Sequence, residues 1–199
     1  MSVLTDLDVN FMIPDPSLFP NVPNGVQVHS GFAIEHKKTA LKILAEVKRL
    51  MAEHSVTNVI LVRLHPNFYS PVESPGLIGL YADVLKTGHS LGGALAELDT
   101  LFMKLNLPAG TIVRGITFGT PRVGNAAWAT FFDSQISDFT RMNNKRDPVP
   151  IVPGRLLGFR HPGVEIYIEP DGNAVACPGE WFTLSRFYIR AHVSFLHRR

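Results

Sequence analysis

Apolar residues along this chain repeat with two different periods, and segments of the two kinds alternate. From Phe32 to about His54 they fall at helical spacing, with Lys and Glu on the opposite face, which predicts an amphipathic helix. Helices are also predicted at Ser90–Leu105 and Gly124–Ile136. Short alternating or β-branched runs predict strands at Val26–His29, Thr57–Val62, Thr111–Phe118, Phe139–Met142 and Val164–Ile168. This alternation predicts an α/β fold with a mostly parallel sheet and helices on both faces.

Two stretches have no steady period. The first, Arg63–Thr87, is rich in proline, and the second is the aromatic- and arginine-rich tail from residue 180 to residue 199. Loops of more than about 12–15 residues without secondary structure are uncommon in compact domains. We therefore predict a single domain over residues 1–199, in which 63–87 is an atypical insertion and 180–199 an atypical tail.

Composition is that of a globular protein and narrows the range of partners. The chain has 199 residues, of which 45% are hydrophobic and 18% charged, enough to build a core. A formal net charge of +2 gives no argument for nucleic acid, and no apolar run approaches the ~20 residues that span a bilayer. Cys177 is alone, so no intrachain disulfide is possible. Because no Cys, His and carboxylate residues have metal-ligand spacing, we predict neither a metal nor an organic cofactor.

The strongest chemical signal is the run Gly88-His89-Ser90-Leu91-Gly92-Gly93, which opens a predicted helix. Gly-x-Ser-x-Gly is typical of a serine nucleophile mounted on a sharp strand-to-helix turn. Its glycines allow the tight turn, and the helix N-terminus offers unpaired N–H groups to developing negative charge. Ser90 is therefore the candidate nucleophile; the alternative is an ordinary glycine-rich turn.

A serine nucleophile needs a histidine base and a carboxylate that orients it, and in elbow-type hydrolases these follow in the order Ser, Asp, His. Asp147 lies in a proline-bounded loop after a predicted strand, where open α/β sheets bind ligands, although it could simply open a turn. His192 is the preferred base, while His161 follows the acid so closely that we expect a structural role. The other histidines precede the serine, lie within the elbow or end the chain: His29, His36, His54, His65, His89 and His197.

Four segments resemble the fungal class 3 lipase family, in the family's order. They are Gly88–Ala96, Thr117–Asn125, Asp147–Pro150 and Phe159–Glu165, and Val28–Phe32 looks like the family's segment before its long helix. The similarity runs from about residue 3 to residue 179, with one gap. The resemblance implies an α/β-hydrolase fold and hydrolysis of carboxylic esters.

By that resemblance, Ser90 is the nucleophile, Asp147 the acid, and the backbone N–H of Leu91 one oxyanion-hole donor. The expected partner is a lipid or ester substrate, with transient contact to a lipid interface and no nucleic acid. The family is often secreted, whereas Met1–Asn10 lacks the basic-then-apolar design of a signal peptide.

The chain departs from the family in three places. In the family, a first strand supplies the second oxyanion donor, and it precedes the segment that Met1–Pro14 resembles. That strand has no counterpart here, so we expect a fold that is incomplete at its N-terminus. In the family a strand runs straight into the elbow; here Val59–Val62 would do so only if Arg63–Thr87 were removed. We therefore hypothesise that this segment is a translated intervening sequence. The tail is also unlike the family's, which weakens the assignment of His192.

One alternative for the insertion is that Tyr81–Lys86 replaces Val59–Val62 as the strand before Ser90, although Asp83 and Lys86 make a poor buried strand.

The favoured function is a lipase-type ester hydrolase. The rival is a catalytically impaired remnant that lacks a proper base and the second oxyanion donor. A lipid- or acyl-binding module has no positive support in the sequence.

Overall fold

The computed structural model describes residues 9–54, 60–63 and 83–177, which form four helices and ten strands. The helices are α1 (Ser30–Lys37), α2 (Ala40–Glu53), α3 (Leu91–Asn106) and α4 (Ala126–Gln135). The longer strands are β3 (Ile60–Arg63), β4 (Asp83–His89), β5 (Ile112–Phe118), β7 (Phe139–Asn144), β9 (Val164–Ile168) and β10 (Ala174–Cys177). Two-residue strands are β1 (Phe11–Met12), β2 (Val28–His29), β6 (Gly124–Asn125) and β8 (Phe159–Arg160).

The main sheet has six strands in the order β10-β9-β7-β5-β4-β3. Every neighbouring pair is parallel except the edge pair β10 and β9. His89 is level with Phe118 on β5, and Phe118 is level with Met142 on β7. The carboxyl ends of the three central strands therefore meet at one edge, which is where a parallel sheet gathers functional loops.

Helix α3 covers the centre of the sheet and is the main element of the core. It packs on β3, β4 and β5, and α1, α2 and α4 pack against it. Residues 92–103 of this helix are buried without interruption, including Leu98, Leu101 and Phe102. A helix that is buried on all sides is mostly apolar, which explains its Ala/Leu-rich sequence, although Glu97, Asp99 and Thr100 are also buried. No helix in the described part of the chain is long and apolar enough to cross a membrane.

A small antiparallel sheet, in the order β1-β2-β6-β8, lies beside the main one. It brings the start of the described chain to the segment after residue 154, because the Phe11 and Phe159 rings stack with their centroids 4.1 Å apart. Asn125 joins this sheet to α4: its side-chain oxygen accepts a hydrogen bond from the Trp128 amide at 2.9 Å and caps the helix.

Within the described residues, the predicted elements are confirmed with one change among the helices; Thr57–Asn58 and Val59 lie outside them. The single helix expected from Phe32 to His54 is two helices, α1 and α2, separated at Lys38 and Thr39. The Thr39 hydroxyl donates to the His36 carbonyl at 3.5 Å, a local bond that competes with continuation of the helix. Helical periodicity persisted across the break, so the pattern alone did not reveal it.

The interpretation of Arg63–Thr87 is wrong at both of its ends. Arg63 belongs to β3, and residues 83–87 belong to β4, which leads directly into Ser90. Ile60–Arg63 does not feed the elbow; it pairs with β4 in parallel, at the edge of the sheet. The alternative, a strand at Tyr81–Lys86 before Ser90, is close to the observed β4. Residues 64–82 lie outside the described part, and the single-domain assignment stays a prediction.

Candidate active site

Ser90 occupies the junction between β4 and α3 in a conformation that few non-glycine residues adopt. Its backbone angles are φ 54° and ψ −123°, and its side chain is half-buried. The Ser90 amide donates to the Phe118 carbonyl at 3.0 Å, which fixes the turn against the end of β5. Strain of this kind persists only where the surroundings over-determine it, and it is concentrated at functional sites.

The glycines of the motif are required because the strand and the helix touch there. A Cβ atom at Gly88 would lie 2.2 Å from the Gly92 carbonyl oxygen. A Cβ atom at Gly93 would lie 2.3 Å from the hydroxyl oxygen of Thr120, in the loop after β5. Both contacts are closer than any real Cβ atom makes, so larger residues would push α3 off the sheet. The elbow is therefore a packed structure and not merely a flexible turn.

Leu91 is the first residue of α3. Its amide belongs to the first turn, whose N–H groups have no partner within the helix, so it is free to face an anion that forms at Ser90. The oxyanion role of this amide stays a prediction.

Asp147 lies at the same end of the sheet as Ser90, in the loop that follows β7. Its carboxylate contacts the backbone at the end of β5, since a Cβ atom at Gly119 would lie 2.5 Å from the Asp147 Oδ2. The same position would lie 3.4 Å from the His89 Nε2, so the two side chains flank Gly119. Gly119 has φ 52°, and its amide donates to the Met142 carbonyl at 2.9 Å.

The loop after Asp147 is held by hydrogen bonds from two buried side chains. The Asp147 Oδ1 accepts from the Val149 amide at 2.9 Å, which begins a short 3-10 turn at Val149–Ile151. The His161 Nε2 donates to the Pro150 carbonyl at 2.9 Å. The Arg122 guanidinium donates to the carbonyls of Ile151 and Pro153, the latter at 2.9 Å. The candidate acid therefore sits on an anchored loop.

His161 is poorly suited to act as a base. It is only 6% exposed, and burial lowers its pKa well below the usual value, with the Arg141 cation adding to the effect. Because Nε2 is used in the bond to Pro150, the neutral ring carries its proton there. This geometry agrees with the structural role expected for His161.

The other described histidines have separate environments. His36 pairs with Asp99 at 3.1 Å in the interior, and the His29 Nδ1 accepts from the Gly31 amide at 3.1 Å. His89 and His54 are exposed. The preferred base, His192, lies outside the described residues, as do His65 and His197. Within the described ranges, no three His, Cys or carboxylate groups are placed to hold a metal ion.

A buried carboxyl group lies on α3, two turns beyond Ser90. Glu97 is fully buried, and its Oε1 accepts from the Trp128 Nε1 at 2.8 Å, while Oε2 has no hydrogen-bond partner in the described structure. Burial raises the pKa of Glu97 to about 8, so the group is mostly protonated at neutral pH. It ties α3 to α4 as a neutral hydrogen-bonding group.

Sequence reasoning missed Gly119 and Arg122 as residues of this site. Both stand in Gly119-Thr120-Pro121-Arg122, which contributed to the family resemblance without a role of its own. The signal was the glycine immediately after a strand, which indicates close approach of another group. The sequence spacing did not indicate that Arg122 would bond to carbonyls about 30 residues further along the chain.

Comparison with known proteins gives one consistent family. Residues 77–157 match the family described as Lipase (class 3). A secreted mono- and diacylglycerol lipase of Malassezia restricta is 30% identical over 174 residues, covering 87% of this chain and 47% of the relative. A second such lipase, from Malassezia globosa, is 31% identical over 173 residues, covering 86% and 48%. The chain spans about half the length of these relatives.

Solved structures that resemble this chain are also lipases. Lipase II from Rhizopus niveus superposes with a TM-score of 0.66 at 29% identity, covering 87% of this chain and 55% of that one. A triacylglycerol lipase whose catalytic centre is a serine protease triad gives a TM-score of 0.63 at 27% identity, covering 87% and 54%. The family match begins at residue 77 and includes β4, which supports the observed strand before the elbow. The chain is therefore similar to class 3 lipases over most of its length, and it has an α/β-hydrolase-like fold.

Proposed function

We propose that this protein is a carboxylic ester hydrolase of lipase type, with Ser90 as nucleophile, Asp147 as the acid and His192 as the base. The observation that carries the proposal is the backbone of Ser90, φ 54° and ψ −123°, at a strand-to-helix turn beside the loop of an anchored aspartate. The elbow presents a serine hydroxyl at the N-terminus of a buried helix, which is the arrangement acyl transfer requires.

In the proposed reaction the Ser90 Oγ attacks the ester carbonyl carbon while the histidine takes its proton. The carbonyl oxygen becomes an oxyanion that accepts a hydrogen bond from the Leu91 amide. Collapse of this intermediate breaks the ester bond, and the histidine returns the proton to the leaving alcohol. Water then attacks the acyl-enzyme in the same manner, and Asp147 orients the histidine in both steps.

The substrate class is proposed from the relatives. The Malassezia proteins are secreted mono- and diacylglycerol lipases, so an acylglycerol ester is the first substrate to test. Such substrates are presented at lipid interfaces, which the enzyme would contact transiently. Because these relatives are secreted, we also propose that this protein is exported from the cell.

The second candidate function is a catalytically impaired member of the family. It is favoured by the sequence of the tail after residue 179, which is unlike the family's and contains the preferred base, His192. Loss of triad or oxyanion groups lowers rates by roughly 10²–10⁴-fold each.

A fluorophosphonate probe distinguishes the two. An active enzyme labels at Ser90, the label is lost in Ser90→Ala, and a remnant does not label. Because the sequence of the tail is unlike the family's, we expect hydrolysis of short p-nitrophenyl esters to be very weak or undetectable. Where activity is measurable, His192→Ala should abolish it, and His161→Ala should mainly lower stability. Robust turnover in His192→Ala would refute that base and implicate His161.

A further inference from the structure

We infer that Arg122 and His161 are positioning residues for Asp147, because together they hold the backbone of residues 150–153, which directly follows the Val149 amide that donates to its carboxylate. The inference rests on the proposed function, since it is there that Asp147 has a catalytic role. Neither side chain is expected to touch substrate. Each side chain holds the loop after Asp147, and the loop in turn holds the Asp147 carboxylate.

Arg122 contributes three bonds to this segment. Its amide donates to the Val152 carbonyl at 2.8 Å, and its guanidinium donates to the carbonyls of Ile151 and Pro153. The residue is only 7% exposed. A buried guanidinium aimed at carbonyl oxygens has a fixed fork of donors, so it sets the orientation of the peptide groups as well as their distance.

His161 holds the residue just before that set. Its Nε2 donates to the Pro150 carbonyl at 2.9 Å, from the β8 side of the loop. Burial and neighbouring arginines keep the ring neutral, with the single proton on the donating nitrogen. Four successive carbonyls, at residues 150–153, are thus held by two side chains and one amide from elsewhere in the chain.

The carboxylate of Asp147 depends on this segment through the Val149 amide. That amide donates to the Oδ1 at 2.9 Å, and Val149 begins the 3-10 turn that contains Pro150 and Ile151. On the other side, Oδ2 rests against Gly119, in the same loop that carries Arg122. If the turn shifts, the donor to Oδ1 shifts with it. A displacement of about 1 Å at a catalytic group can lower a rate about 100-fold.

The test uses pairs of variants that remove or retain the donors. Arg122→Met removes the guanidinium and keeps an apolar stem, whereas Arg122→Lys keeps the charge without the fork. His161→Leu removes the donor to Pro150, whereas His161→Gln places an amide N–H where Nε2 stood. Trp128→Phe is the control, because it removes a buried hydrogen bond, the one to Glu97, that does not involve the loop after Asp147.

The first readout is hydrogen exchange of the Val149 amide in the folded 199-residue chain, which needs no activity. We expect protection to fall at least about 10-fold in Arg122→Met and His161→Leu, to recover in His161→Gln, and to be unchanged in Trp128→Phe. Arg122→Lys should be intermediate and serves if Arg122→Met does not fold. Unchanged protection at Val149 in the folded variants would overturn the inference.

The second readout is turnover of an acylglycerol ester, the proposed substrate class. We expect kcat to fall about 10–100-fold in Arg122→Met with little change in KM, and no further fall when Arg122→Met is added to Asp147→Asn. A full additional fall in the Asp147→Asn background would overturn the link to Asp147. An inactive wild-type chain that nevertheless loses Val149 protection in the variants would refute the proposed function and leave the positioning intact.

Discussion

The two halves of the site are built by different means. The Ser90 half is local: strand, turn and helix lie within residues 83–106, and glycines at fixed offsets allow them to touch. The Asp147 half is assembled at a distance, from Gly119 and Arg122 after β5, His161 after β8, and the loop after β7. The Ser90 half is encoded by a short sequence motif, whereas the Asp147 half depends on contacts between residues that are distant in the sequence.

This difference determines what each half tolerates. Within the elbow, a methyl group added at Gly88 meets backbone atoms of α3 that cannot move without displacing the helix from the sheet. Around Asp147, the contacts are hydrogen bonds to carbonyls, which another donor at the same position could restore. We therefore expect substitutions in the elbow to act on folding, and substitutions around Asp147 to act on the geometry of one carboxylate.

Replacement of Gly88 by alanine should give the largest effect, because its Cβ atom would lie 2.2 Å from the Gly92 carbonyl oxygen. We expect a loss of about 3 kcal/mol or more in the free energy of unfolding, measured by urea denaturation. Gly154→Ala is the matched control: a Cβ atom there meets nothing within 4 Å, and stability should hardly change. Equal stabilities for the two variants would show that the elbow is not the rigid half.

The same contrast explains how much the sequence could predict. Burial of α3 on all sides follows from its apolar run, and β9 was predicted with its observed limits, Val164–Ile168. Ser90 could be identified because Gly-x-Ser-x-Gly has one structural meaning in front of such a helix. In each case the information lies within a few consecutive residues.

Where the prediction failed, long-range pairing decided the outcome. Asp83 and Lys86 argued against a central strand, yet β4 forms between β3 and β5 and leads into Ser90. Tertiary context overrides strand propensity at such positions. Likewise, the roles of Arg122 and His161 depend on carbonyls about 30 and 11 residues away, which no local pattern reports.

The next largest effect is a change of stability with pH. Each half contains a buried neutral group, Glu97 or His161, and the contributions of the two groups to stability should change with pH in opposite directions. Burial raises the pKa of Glu97 from 4.5 to about 8, so stability is full below about pH 4.5 and falls as pH rises towards 8. Burial lowers the pKa of His161 below 6.5, so its contribution is present above pH 6.5 and is lost as pH falls. The steepest slope for either group is about 1.4 kcal/mol per pH unit.

Between pH 6.5 and 8, Glu97 is the one of these two groups whose contribution changes, and it should lower the free energy of unfolding of the wild type by about 2 kcal/mol. Glu97→Gln retains an acceptor for the Trp128 Nε1 and should flatten this slope, while His161→Gln should keep it. Below pH 6.5 both groups act, with opposite signs, and His161→Gln should weaken the acid-side loss. Parallel curves for all three proteins would contradict both assignments.

The smallest effect expected is the strain stored at Ser90 itself. At φ 54° and ψ −123° a side chain is unfavourable, whereas glycine accepts this region. Ser90→Gly and Ser90→Ala both lose the hydroxyl and any fluorophosphonate labelling, but only glycine relieves the strain. After allowance for the greater freedom of glycine in the unfolded chain, Ser90→Gly should be the more stable by about 1 kcal/mol. An alanine variant as stable as the glycine variant would mean that the elbow holds its serine without strain, and the conformation would then reflect packing of Gly88 against Gly92 alone.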